Sequence, residues 1–129
     1  MPSDIDITGI HHHSVVATNP EASRRFYGEQ LGLLEIPSPS TFEAPVIWYA
    51  CGNGQLHLMI KQDADTISPR HIALHIRNAE GARSRLQARG ISTEETVRIP
   101  GADRFFVQDP DGNRIELIEW KIPWGEGEM

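Results

Sequence analysis

Along Gln55-Leu56-His57-Leu58-Met59-Ile60 apolar residues return at every second position. This is the period of a strand, with Leu56, Leu58 and Ile60 on one face and Gln55, His57 and Met59 on the other. Arg114-Ile115-Glu116-Leu117 alternates likewise, with Ile115 and Leu117 on the apolar face and Glu116 opposite them. In a third stretch Ile72, Leu74 and Ile76 define the apolar face, leaving His71, Ala73 and His75 on the other. Two segments carry helical spacing instead. Asn19-Pro20-Glu21 supplies a capping residue, a proline for the first helical position and an early acid, followed by Ala22, Phe26 and Tyr27 and a stop near Gly32. Asn78 opens the second, with Ala79, Ala82 and Leu86 on one face and a stop at Gly90.

Asn19 and Asn78 are 59 residues apart, and the same offset relates the strands around them. It lays Ile10–Val15 over Pro69–Leu74, making His12 equivalent to His71, and Gly52–Leu58 over Asp111–Leu117, making His57 equivalent to Glu116. Further strand-like runs fall at Val46–Cys51 and Arg104–Gln108, with shorter candidates near Leu33–Ile36 and Ile91–Val97. Each half therefore reads βαβββ. Neither buries enough surface alone, so the halves join, or pair with another chain, with helices on one face only. The expected class is α+β, in one domain over residues 1–129 whose modules run from about 5 to 62 and about 66 to 122.

Composition narrows the function. The chain has 129 residues, 39% apolar, with a formal net charge of −6 and its 12 lysines and arginines scattered. That pattern disfavours nucleic acid as a partner. No apolar run approaches the roughly 20 residues of a membrane span, so no membrane partner and a cytoplasmic location are expected. A lone cysteine, Cys51, allows no internal disulfide and sits among apolar neighbours as a packing residue.

The alternation leaves four chemistry-bearing side chains on faces turned away from the core. Transferred through the repeat, the parity puts His12, Ser14 and Val16 on the face shared with His71, and sends His11 and His13 to the other. A pseudo-twofold arrangement of the halves converges His12, His57, His71 and Glu116. Three imidazoles and a carboxylate suit one divalent ion of Zn, Ni, Co, Mn or Fe. A single histidine in a strand is usually structural; four positions obeying one offset and one parity are not explained that way.

These residues resemble the vicinal oxygen chelate superfamily of glyoxalases, bleomycin-resistance proteins and extradiol dioxygenases. The likeness rests on His12 with Asn19–Tyr27, on Leu31-Gly32-Leu33 and Gln55–Leu58, and on Arg70–Ile76 with Phe105–Leu117, above all Asp109-Pro110-Asp111-Gly112-Asn113-Arg114-Ile115-Glu116-Leu117. The resemblance implies paired βαβββ modules, a U-shaped mixed sheet around a metal with helices on its outer face, and a homodimer with shared active sites. It also implies a small-molecule substrate and a metal-stabilised, enolate-like intermediate. Lyase or isomerase chemistry is expected, with Glu116 as catalytic base. Glyoxalase I-like relatives commonly carry glutamate where this chain has His57, which makes a two-base isomerisation doubtful. An Fe(II) extradiol-type dioxygenase is the alternative, crowded by a fourth ligand at His57. A metal-free binding protein of the bleomycin-resistance kind is the other, with Phe42, Trp48, Tyr49 and Trp124 as its aromatic surfaces. Fosfomycin-resistance transferases resemble the chain in His12, Ser14, His71 and Glu116, but Ile99–Arg104 replaces their potassium-binding loop.

Four residues are expected to meet the substrate. Arg104 is a forked anchor for a carboxylate or phosphate. Trp48 lines the cleft, although a tryptophan in an apolar run is commonly core. Ser14 and His75 share the parity of the ligands. The proline-rich stretch Ile36–Pro45 reads as a rim over the cleft, and Trp124 as a contact with a partner chain.

Overall fold

The structure is a computed structural model and describes residues 4–122. Trp124 lies outside the described residues.

The first half runs β1 (His12–Ala17), α1 (Pro20–Ser23), a π-helical segment (Arg24–Gln30), β2 (Leu34–Ile36), β3 (Val46–Cys51) and β4 (Gly54–Ile60). The second runs β5 (His71–His75), α2 (Ala79–Ala88), β6 (Ala102–Gln108) and β7 (Arg114–Trp120). Two small mixed sheets result, ordered β1-β4-β3-β2 and β5-β7-β6. In each, the first strand pairs in parallel with the last and the preceding strand pairs antiparallel to it. Among the described residues no helix is long and apolar enough to cross a membrane.

Both helices start as their sequences require. Asn19 Oδ1 accepts from the Ala22 amide at 3.1 Å, and Asn78 Oδ1 accepts from the Gly81 amide at 3.0 Å. A Cβ on Gly81 would stand 2.6 Å from Asn78 Nδ2, so the second cap needs glycine there. The first helix then widens: the Leu31 amide reaches back five residues to the Phe26 carbonyl at 2.9 Å. The wider turn buries the consecutive Phe26 and Tyr27 together.

The period-two reading holds on both sheets. Ile47, Tyr49, Leu56 and Leu58 from the first join Phe105, Val107, Ile115 and Leu117 from the second in one apolar cluster with Phe26, Tyr27, Ala79 and Leu86. Each such large side chain contributes about 1.5–3 kcal/mol on burial. The Leu33–Ile36 candidate forms β2, but its counterpart at Ile91–Val97 forms only a bridge between Glu94 and Phe106. Glu95 in this segment is held by the Arg83 guanidinium at 2.8 Å, and Glu94 lies 4.0 Å from Arg114. The segment is held at that one bridge, where the Glu94 and Phe106 amides and carbonyls exchange two backbone hydrogen bonds of 2.8 Å.

The halves are tied through the turn between β6 and β7. Buried Asp109 accepts from the Tyr27 hydroxyl at 2.6 Å, from Asn113 Nδ2 at 2.8 Å, and from the amides of Asp111 and Asn113 at 2.9 and 2.8 Å. Asp111 in turn accepts from the Thr18 hydroxyl and amide at 2.6 and 3.1 Å, and Asn113 Nδ2 donates to the Val16 carbonyl at 2.8 Å. Gly112, at φ +85, supplies the left-handed residue the turn requires. Burial, together with the neighbouring Asp109, raises the Tyr27 phenol far above its ordinary range, so it remains a donor.

Replacing Tyr27 with Phe is expected to cost about 2 kcal/mol, the scale of a hydrogen bond to a buried charge. Asp109→Ala, which strands four donors, should cost more. Urea denaturation of the two variants measures both losses, and equal or negligible values would remove this turn as the tie between the halves.

Candidate metal centre

On each sheet the face away from the apolar cluster carries a polar constellation. On the first sheet Trp48 and His57 are register partners, their rings stacked 3.9 Å apart and 2° from parallel. His12 covers the other face of His57 at 4.0 Å, and His11 meets His12 edge-on at 5.1 Å. Phe42, from the proline-rich stretch, contacts Trp48 at 5.8 Å. His57 is 6% exposed although it lies off the core side, because aromatic rings sandwich it. Its imidazole value is lowered by this burial first, and then by His12 and His11, so the ring is neutral near pH 7. Gln55 Oε1 lies 2.8 Å from His57 Nε2, and an amide oxygen only accepts, so Nε2 donates and Nδ1 keeps its lone pair.

On the second sheet Glu116 is 6% exposed, with Oε1 3.0 Å from His71 Nε2 and Oε2 3.2 Å from Arg104 Nη1. His71 Nδ1 lies 3.0 Å from the Pro69 carbonyl, another pure acceptor, and so carries a proton. His71 Nε2 meets a carboxylate oxygen at 3.0 Å, a contact in which a ring with its only proton on Nδ1 would set two acceptors against one another. That contact requires either a second proton on His71 or a cation taken by both atoms. A backbone carbonyl holding the far nitrogen is the usual support of a metal-binding histidine.

The four predicted ligands are thus present as two pairs, His12 with His57 and His71 with Glu116. Among the described residues no three His, Cys, Asp or Glu side chains come together as a metal site. The donor chemistry fits a divalent ion, and each sheet supplies half of the set.

Trp48 lies on the cleft face, stacked against His57. Arg104 reaches the site, but its fork is occupied: Nε and Nη2 donate to the Val97 carbonyl at 3.2 and 2.8 Å while Nη1 holds Glu116. Ser14 is exposed on β1 opposite His57 in register, and together with His71 and Arg114 lines a small polar pocket. His75 is not brought to the pair. It sits at the far end of β5, where Nε2 accepts from the Trp120 amide at 3.3 Å. Four residues along a strand span about 13 Å, which is why shared parity did not make it a neighbour of Glu116.

Two residues of this face escaped the sequence reading. Phe106 is the register partner of Glu116 as Trp48 is of His57, and meets His71 edge-on at 5.0 Å. Arg114 stands at the position equivalent to Gln55, its guanidinium 4.0 Å over the Phe106 ring. Phe106 lies 58 residues beyond Trp48, one short of the repeat. The β6–β7 turn absorbs that residue, and only counting back from Glu116 across the hairpin would have found the pair.

The Glyoxalase/Bleomycin resistance protein/Dioxygenase superfamily profile matches residues 9–117. A Bacillus anthracis structure described as a glyoxalase family protein is 35% identical and superposes with a TM-score of 0.83, covering 89% of this chain and 97% of its own. Lactoylglutathione lyase from Agrobacterium tumefaciens has 23% identity and a TM-score of 0.72, with 92% and 98% covered. A fosfomycin resistance protein from Listeria monocytogenes has 20% identity and a TM-score of 0.74, with 86% and 90% covered. These two share the fold. No curated protein matches the chain.

A lowered imidazole value means that the folded, metal-free protein resists protonation at His57. Stability is therefore kept above the ordinary imidazole range and lost as pH falls through it. Trp48→Ala, by opening one face of the ring to water, is expected to raise the His57 titration midpoint toward its ordinary value in a proton NMR titration. An unchanged midpoint would mean that the stack is not what buries the ring.

Proposed function

The chain belongs to the Glyoxalase/Bleomycin resistance protein/Dioxygenase superfamily, and we propose that it is a divalent-metal-dependent enzyme of lyase or isomerase type acting on a small oxygenated substrate. His12, His57, His71 and Glu116 hold the metal in this reading. The observation that carries it is the His71–Glu116 pair, an imidazole nitrogen and a buried carboxylate oxygen 3.0 Å apart, with the far imidazole nitrogen committed to a carbonyl. When bound, an ion of Zn, Ni, Co, Mn or Fe supplies Lewis acidity toward adjacent substrate oxygens.

The chain's own groups do the rest. Glu116, the one carboxylate of the four, accepts the substrate proton and returns it. Arg104, anchored on the Val97 carbonyl, fixes the second Glu116 oxygen, so the carboxylate keeps one orientation throughout. Trp48 covers one face of the His57 ring, and Phe42 packs edge-on against Trp48.

A homodimer with shared sites completes this arrangement. It is supported by the two pairs' failure to form one cluster within a chain, and by the edge positions of β1 and β5, which carry His12 and His71. A second reading is favoured by Gln55, which occupies His57 Nε2. Without His57, the set reduces to two histidines and a carboxylate, the facial arrangement of Fe(II) dioxygenases.

Elemental mass spectrometry of protein purified without chelators or affinity resin is expected to find about one equivalent of Zn, Ni, Co or Mn per chain, lost in His71→Ala. Iron as the bound metal, retained by His57→Ala, would replace the lyase reading with the dioxygenase. No metal even after reconstitution would leave a binding protein. Refolding His57→Ala together with His71→Ala tests the shared site, because mixed dimers hold one intact site and should recover about a quarter of wild-type metal. Recovery of none would place each site within a single chain.

A further inference from the structure

His75 takes no part in the metal face, but it lines a second pocket, of about 290 Å³. The apolar wall of that pocket is built by Leu74 and Ile76 at the end of β5, Leu86 of α2 and Leu117 of β7, with Leu33 from the first half. Leu86 and Leu117 belong to the buried apolar cluster, and Leu33, Leu74 and Ile76 pack against it. The pocket therefore lies on the helix side of the second sheet, away from Glu116.

Two cations stand beside this wall. Arg85 and Arg89 line the pocket, and their spacing of four along α2 puts them on one helix face. Arg24, Arg70, Arg83, Arg104 and Arg114 each have a carboxylate within 4.0 Å. Among the described residues neither Arg85 nor Arg89 has one, although the chain carries a net charge of −6. Arg89 Nη1 donates to the Gln30 carbonyl at 2.6 Å, which holds this side chain across to the first half and leaves most of its fork uncommitted. Like charges at this helical spacing repel, and an anion meeting both guanidinium groups relieves the repulsion.

An apolar wall beside two unneutralised guanidinium groups is complementary to an amphipathic anion. At the roughly 30 Å³ that a water occupies in the liquid, the pocket holds about ten non-hydrogen atoms, the size of a straight-chain acid of about eight carbons. We propose that this pocket binds a medium-chain carboxylic acid, its alkyl chain against Leu74, Ile76 and Leu86 and its carboxylate between Arg85 and Arg89. The site is separate from the candidate metal centre and stands whether or not that centre holds a metal. The two nevertheless share a strand, because Leu117 and Glu116 are consecutive on β7 and turn to opposite faces.

The test is calorimetric titration of the full chain, in chelator, with butyrate, hexanoate, octanoate and decanoate beside 1-octanol, with nitrogen-15 NMR to locate the contact. Affinity should rise about fourfold per added methylene up to octanoate and level off beyond it. Octanol should bind about tenfold more weakly than octanoate, and replacing Arg85 and Arg89 together with Gln should cost octanoate a similar factor. Octanoate should shift the Leu33, Ile76 and Leu86 amide signals saturably. Equal binding of acid and alcohol, affinity indifferent to chain length, or an octanoate affinity untouched by the double substitution would overturn the proposal. Shifts confined to His57, His71 and Glu116 would do the same by placing the acid on the metal face. Binding seen only at dilutions where light scattering finds monomer would make a second copy of the chain the occupant instead.

Discussion

The arrangement of the two sheets depends on one buried carboxylate. Asp109 gathers the Tyr27 hydroxyl, the Asn113 amide group and two backbone amides, and through the adjacent Asp111 and Asn113 it reaches Thr18 and the Val16 carbonyl. A charge this deep is tolerable only when every lone pair has a donor, so the turn accepts few other geometries. The π-helical widening of the first helix belongs to the same constraint, because it sets Tyr27 beside Phe26 in the core with its hydroxyl against the turn. The turn at Asp109–Asn113 thereby adds a polar tie between the halves, to Tyr27, Thr18 and Val16, beside the apolar cluster that both sheets share.

Most of the fold was legible because burial writes a period into the sequence. Leu56, Leu58, Ile115 and Leu117 announced their faces, and Asn19 and Asn78 announced two caps. The missing eighth strand was not legible: Ile91–Val97 has strand-like ends, but Glu94 and Glu95 answer to arginines brought near only by folding. Nor does periodicity report a π-helical turn, since Phe26 and Tyr27 satisfy an apolar stripe at either pitch.

For the site, parity located each face and stopped there. It placed His12, His57, His71 and Glu116 correctly with respect to the core, and His75 equally so, but parity carries no distance along a strand. Trp48 read ambiguously because its neighbours Ile47 and Tyr49 are core residues while its own ring faces the other way. Phe106 was hidden by a one-residue difference between hairpin turns, and Arg114 by standing where the first half has the uncharged Gln55. The use of Arg104 was hidden because the Val97 carbonyl that captures it is invisible to any side-chain pattern.

The halves of a duplicated fold need not stay chemically alike, and here the divergence has a direction. One sheet offers two imidazoles and an amide, His12, His57 and Gln55, beside an indole. The equivalent positions of the other hold His71, Arg114 and Glu116 beside a phenyl ring. A cleft with true twofold symmetry would accept a small ligand in two orientations of equal energy. Unequal halves lift that degeneracy, so the repeat supplies the scaffold and the asymmetry between its halves supplies handedness.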